Sequence, residues 1–251
     1  MGEILIAVLK SFCAKGISQL WENKKDVSLY LKTLFGKYRN KEIRFSISYL
    51  FRLKIPHTNS YLLVLNRRIE NQLQPVGGVY KRYGDDRLFE KWNFTPDNYR
   101  NGLGTDEESY NDLRFTVKGK YVIDVIKWFE ESKEREFSCE REFFEELIKP
   151  KIVDEDIFKQ IKYKHVKRIS KNLQWSEHHQ CHEILIYDVV ELIPTTKQQE
   201  FLIELGKSKN DLKKGFVIAE CDDIEQLRYM EDGKQIARIG THTKFIINKN
   251  C

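Results

Sequence analysis

Arg141-Glu142-Phe143-Phe144-Glu145-Glu146 is the stretch on which the reading of this chain turns. At helical spacing Glu142 stands three residues before Glu145 and four before Glu146, so the three carboxylates gather towards one side. Phe137, Phe144, Leu147 and Ile148 supply an apolar side, Ser138 suits the N-cap, and Pro150 closes the helix over 138–148. Three negative charges held so close repel one another unless something positive compensates. A divalent cation with oxygen ligands, Mg²⁺ or Mn²⁺, suits them. Arg141, four residues before Glu145, is placed to pin one carboxylate by a bidentate pair. The plain alternative is a solvated charged face on an amphipathic helix, in which these acids do nothing.

Upstream, Gln74-Pro75-Val76-Gly77-Gly78-Val79-Tyr80 carries the second signal. Pro fixes one dihedral and removes a donor, while paired glycines permit close approach of another backbone or a ligand. Before it, Phe45, Ile47, Tyr49, Phe51, Leu53 and Ile55 alternate with Arg44, Ser46, Ser48, Arg52 and Lys54, Leu50 being the exception. Period two over a dozen residues predicts a strand. The polar turn at 56–60 and a buried-looking return strand at 61–65 make it a hairpin.

Outside this block, residues 2–21 and 25–37 read as helices, and 83–118 as a turn-rich insertion. A helix at 121–131, a buried strand at 184–193, a helix at 196–205, a short strand at 216–219, a helix at 222–230 and a last strand over 235–247 complete the pattern. Interleaved strands and helices predict a mixed α/β or α+β fold with helices covering a mixed sheet. The expected organisation is an N-terminal helical extension at 1–40 and one domain at 41–251.

The 251 residues carry 43 basic and 38 acidic groups, a net +5 with the signs interspersed. That balance suits an anionic small molecule and gives no concentrated basic stripe for nucleic acid. Cys13, Cys139, Cys181, Cys221 and Cys251 are odd in number, widely spaced and free of any CxxC pair. Reduced thiols in the cytoplasm are the simplest expectation. The apolar run at 4–9 is too short for a membrane span. His178, His179 and His182 lack an HExxH partner, so a polar loop is expected there ahead of a zinc site. Trp175 and Tyr187 could stack on a base, although aromatics so placed more often belong to a core.

Hairpin, Pro-x-Gly-Gly turn and Arg-Glu-x-x-Glu-Glu helix, in that order, resemble the Nudix hydrolases. Their motif is G-x5-E-x7-R-E-U-x-E-E-x-G-U, with U aliphatic or aromatic. Here Gly78 precedes Arg141 by 63 positions where the motif has 14, so 49 residues must loop out between turn and helix. Lys133 stands where the motif has its first Glu, and Ile148 where it has Gly. Within the superfamily, Arg44–Arg52 and Asn71–Tyr80 are most similar to the SMODS-associated Nudix domains, over about residues 42–247. The resemblance implies a Nudix-like α/β/α sandwich and a link to bacterial antiphage systems built around cyclic-nucleotide-making enzymes.

It also implies a site. Glu142, Glu145 and Glu146 would be metal ligands and, with Arg141, catalytic groups. Gly77, Gly78 and Arg52 would meet the substrate, and Arg44, Lys54 and Lys81 are further candidates for steering phosphates. The implied activity is Mg²⁺-dependent hydrolysis of a diphosphate linkage in a nucleotide. The competing reading is a degenerate domain that senses a nucleotide or serves as an interaction module, with a homo-oligomer among the expected assemblies.

Overall fold

The structure, a computed structural model, describes residues 24–83, 87–97, 110–132, 134–208 and 210–248. The helix expected at 2–21 lies outside these residues, as do residues 84–86 and 98–109 of the expected insertion and Lys133, while the rest of that insertion forms short regular pieces.

In chain order the elements begin with α1 (Lys24–Leu34), β1 (Glu42–Arg52), β2 (Ser60–Leu65), β3 (Gln72–Gln74) and β4 (Gly77–Val79). There follow α2 (Arg87–Lys91), β5 (Thr95–Pro96), β6 (Arg114–Lys118), α3 (Val122–Glu131) and α4 (Glu140–Phe143). Next come α5 (Glu155–Phe158), β7 (Tyr163–Ser170), β8 (Gln174–Ser176), β9 (Cys181–Leu192) and α6 (Thr196–Lys207). β10 (Phe216–Glu220), α7 (Cys221–Gln226), β11 (Arg228–Glu231) and β12 (Lys234–Ile239) complete the series. The fold is mixed α+β, and the strands divide between a seven-stranded and a five-stranded sheet.

The described chain clusters into two compact units. The first takes the described residues of Met1–Ser46, Tyr83–Arg135 and Lys171–Leu185. In it, the start of β1 pairs antiparallel with β6, β6 with β5, and β8 with the start of β9. Its core is aromatic. Phe89 packs edge-on against Trp128 at 5.1 Å and Phe115 at 5.6 Å, and Phe45 stacks on Phe115.

The second unit takes Ile47–Arg82, Glu136–Ser170 and Ile186–Cys251. The rest of β1 pairs with β4 and the rest of β9 with β7, while the five-stranded sheet runs β10-β2-β3-β12-β11. Only the short β3–β12 contact in that sheet is parallel. Leu50, Tyr61, Leu63, Val189, Val217 and Ile239 belong to one buried cluster there. Burying such side chains stabilises the unit by about 1.5–3 kcal/mol each. At α6, Thr195 and Gln198 form a reciprocal capping box, and the Gln198 amide also donates to the Ile157 and Gln160 carbonyls.

Three local expectations need correction. Alternation in β1 does mark a strand, but both faces are buried, so its polar side is not the solvent side. The helix expected at 222–230 stops at Gln226, because Leu227 adopts a left-handed conformation (φ 57°) that turns the chain into β11. The last strand ends at Ile239, and Thr241–Phe245 form a 3₁₀ turn. Cys139 and Cys181 are free and buried, as reduced thiols would be, whereas Cys221 is disulfide-bonded, which no spacing in the sequence signals. Among the described residues no helix is long and apolar enough to cross a membrane.

Candidate functional site

All residues of the site lie in the second unit. β4 runs antiparallel to β1, with Tyr49 opposite Gly78 and Leu50 opposite Gly77. A Cβ at Gly77 would collide with the Tyr49 carbonyl, so glycine is required for β4 to pair at this distance. A Cβ at Gly78 would overlap the Glu142 side chain instead. The second glycine is therefore the seat on which the acidic helix rests.

Two hydrogen bonds complete that seat. Gly77 N–H donates to Glu146 Oε2 at 3.0 Å, and Arg141 Nη2 donates to the Val79 carbonyl at 2.9 Å. Beneath them Phe143 packs edge-on against Phe51 at 5.5 Å and near Phe158 at 5.9 Å. These buried rings supply the apolar anchor, while the acids stay along the β4 edge. The first turn has Cys139 at the N-cap position without a side-chain cap; Ser138 Oγ instead accepts from the Glu140 N–H.

Arg141 does not make the bidentate pair with Glu145 that the sequence suggested. Its Nε and Nη2 donate to the two oxygens of Glu136 at 3.1 and 3.3 Å. Its Nη1 donates to Glu142 Oε1 at 2.5 Å and lies 4.0 Å from Glu145 Oε1. Glu136 is buried and also accepts from the Lys81 N–H. No helical spacing points to Glu136, because it lies before the helix starts; its place in the chain of charge shows only in three dimensions. Burial alone would lower the Arg141 pKa, but the hydrogen bond to Glu136 and the surrounding acids carry it upward.

The acids respond in the opposite sense. Burial pushes Glu146 up to about 8, the Gly77 N–H and Arg67 pull it down, and Glu142 and Glu145 push it up. Glu142 is also raised, by burial first, against the pull of Arg141. Burial thus works against the charged form of both carboxyls. Among the described residues, no three His, Cys, Asp or Glu side chains converge as a ready cation cage.

Two of the pockets beside the helix are lined by its acids. One of about 190 Å³ is lined by Asn66, Arg67, Glu146, Pro150, Lys214 and Gly215 among others. The other, of about 290 Å³, is lined by Arg141, Phe143, Phe144, Glu145, Phe158 and Lys159 among others. Phe144 is half exposed between acids, and Ile148, in the place of the motif's glycine, is buried.

Of the expected phosphate-steering cations, Arg52 is buried and donates to the Ile246 carbonyl at 2.5 Å, with Glu191 at 3.7 Å. Its charge is committed to the fold and does not face either pocket lining. Arg44 lies in the first unit, buried against Asp97 and Glu183. Lys54 reaches Asn59. Arg67 and Lys214, which the sequence reading did not single out, are the cations that line the Glu146 pocket. Their signal is weak in sequence, since both sit in polar turns that solvation explains equally well.

A model of the SMODS-associated NUDIX domain matches residues 42–247. No curated protein and no solved structure matches the chain. Pro-Val-Gly-Gly turn, Arg-Glu-Phe-Phe-Glu-Glu helix and mixed α+β fold all lie within the matched span, and the chain belongs to the SMODS-associated NUDIX domain family.

Proposed function

We propose that this chain is a Nudix-type hydrolase of a diphosphate-linked nucleotide, acting in bacterial antiphage defence with Mg²⁺ or Mn²⁺. The observation that carries the proposal is the meeting of turn and helix. Residues 64 and 69 positions apart in sequence come together, so that Glu142 rests on Gly78 and Glu146 takes the Gly77 N–H. A solvated charged face would not bury Glu146 or select glycine beneath Glu142.

The donor set fits a hard divalent cation. Mg²⁺ commonly takes one or two protein carboxylates, keeps several waters and shares substrate phosphates, so a closed cage of three acids is not required. Glu142 and Glu146 would hold it, with Glu145 completing the set. The bound ion supplies Lewis acidity and a water of lowered pKa. Glu145, the most exposed of the three acids, would take the proton of the attacking water. Arg141 orients Glu142 through its grip on Glu136, and the backbone at Gly77-Gly78 lines the groove. Arg67 and Lys214 supply positive charge beside Glu146 for a substrate phosphate.

A second reading, a nucleotide-binding domain without turnover, draws support from Arg141 bridging Glu142 and from Ile148 in the place of glycine. Incubation with Mg²⁺ or Mn²⁺ and a panel of dinucleoside polyphosphates, ADP-ribose and NAD separates the two. Hydrolysis lost by at least about 100-fold in the Glu145→Gln, Glu146→Gln double variant supports the enzyme. Activity unaffected by both changes sinks it. Calorimetric binding of cyclic di- or trinucleotides with no hydrolysis would favour the sensor.

A further inference from the structure

The acidic helix does not keep α-helical register to its end. Over Phe144–Ile148 it widens into a π turn, in which the Lys149 N–H donates to the Phe144 carbonyl at 2.8 Å, five residues back. Continued by one residue, the same register would give the Glu145 carbonyl a donor from residue 150. That residue is Pro150, which has no N–H. The α register offers no substitute, because its donor would be Lys149, already bonded to Phe144.

The missing donor comes from another part of the unit. Arg67 Nη2 donates to the Glu145 carbonyl at 2.7 Å, across 78 residues of sequence. The turn that carries Arg67 is itself braced. Asn66 Oδ1 accepts from the Arg68 and Ile69 N–H groups at 2.7 and 2.9 Å, and its amide donates to Gln74 at 2.7 Å. Arg67 therefore reaches the helix from a fixed base. Its side chain also lines the pocket of about 190 Å³ that includes Glu146 and Lys214.

An exposed arginine near a helix C-terminus is often only a favourable charge on the dipole, worth a few tenths of a kcal/mol to about 1. Carbonyls in a last turn are also often left to water. The difference here lies in the carbonyl that is capped. It belongs to Glu145, sits inside the widened turn, and is followed directly by Glu146.

We propose that Arg67 is a positioning residue for the acid cluster. By capping the carbonyl that Pro150 leaves without a donor, it fixes the π turn and with it the angle between Glu145 and Glu146. This rests on the reading of Glu142, Glu145 and Glu146 as a cation-binding set.

Pro150→Ala restores an N–H at residue 150, and that makes the proposal sharply testable. Mn²⁺ affinity of the full chain is measured by titration for the wild type, Arg67→Ala, Arg67→Lys, Pro150→Ala and the Arg67→Ala, Pro150→Ala pair. Amide exchange at Lys149 is followed on the same samples. Arg67→Ala should weaken Mn²⁺ by about 10-fold or more, the usual effect of losing a group that orients ligands. Arg67→Lys should recover part of that loss, and the double variant most of it, because the backbone donor replaces the guanidinium. Wild-type affinity in Arg67→Ala, or a loss undiminished in the double variant, overturns the proposal. If the wild type binds no Mn²⁺, the cation reading falls and amide exchange decides the Arg67 proposal alone. Faster Lys149 exchange in Arg67→Ala, restored in the double variant, upholds it; unchanged exchange refutes it.

Discussion

Each unit of this protein contains an arginine facing two carboxylates, and the two clusters are built to different ends. In the first unit Arg44 grips Asp97 with Nε and Nη2 at 2.7–2.9 Å and Glu183 with Nη1 at 2.9 Å. Glu183 also accepts from Gln174, and all three charged side chains are largely buried. In the second unit Arg141 faces Glu136 and Glu142 in a similar way, but Glu145 and Glu146 stand beside it. Arg141 there lies within 4.0 Å of three carboxylates, and Glu146 stands beside them with Arg67 as the cation that moderates it. The first cluster has its charges answered by local partners. The second keeps a surplus of negative charge beside a pocket, an expensive arrangement that an incoming cation would relieve.

That contrast predicts how each arginine responds to substitution. Arg44→Ala should cost about 3–5 kcal/mol, since it strands two buried acids. Urea unfolding should give the same loss with or without Mg²⁺. Arg141→Ala should also destabilise the metal-free protein, but saturating Mg²⁺ should restore a good part of the loss, because the stranded acids then meet another cation. Equal losses that ignore Mg²⁺ at both positions would erase the distinction drawn between the clusters.

The pH dependence of stability gives a smaller, graded measure. Glu146 has a folded-state pKa of about 8 against an ordinary 4.5, set first by burial. Below 4.5 the group is neutral both folded and unfolded. Between 4.5 and about 8 the folded chain keeps a proton that the unfolded chain releases. Stability of the metal-free protein should therefore fall as pH rises through that window, by up to about 1.4 kcal/mol per pH unit from this group. Glu146→Gln should flatten the slope, and Mg²⁺ should flatten it from the other direction by favouring the ionised form. A fall that persists undiminished in Glu146→Gln would assign it to other groups.

How much of this was readable beforehand follows from what each feature depends on. Strand β1, helix α3 and strand β9 announce themselves through periodicity and apolar runs, because their residues answer to local geometry. The Pro75–Gly78 turn and the Glu142–Glu146 helix were legible as motifs, and Gly78 under Glu142 gives the physical reason that they occur together. Glu136 and Arg67 were not legible, since each acts through a partner fixed by tertiary packing: Arg141 for one, the Glu145 carbonyl for the other. Arg52 misled for the converse reason. A cation alternating with buried residues looks solvent-facing until the opposite face of its strand is also covered, as it is in β1.

The smallest expected effect probes the same surplus from the neutral side. Tyr49 is fully buried, and its hydroxyl has no hydrogen-bond partner among the described residues. Burial drives its pKa upward, and Glu136 and Glu142 add to the shift while Arg141 opposes it, so the phenol is uncharged beside the Arg141 cluster. Tyr80, whose ring lies 4.9 Å away, has the opposite situation, with its hydroxyl donating to Asp188 at 3.0 Å. A buried donor without a partner costs about 1–3 kcal/mol, and a satisfied one contributes about 0.5–1.5, rising to about 1.5–3 when the partner is charged. Tyr49→Phe should therefore leave stability unchanged or raise it by about 1 kcal/mol, whereas Tyr80→Phe should lower it by about 1.5–3. Thermal unfolding of the two variants at one pH reads both signs. A loss above about 1 kcal/mol in Tyr49→Phe would mean that a bound water completes the hydroxyl, and the second cluster would then be less open than its acids make it.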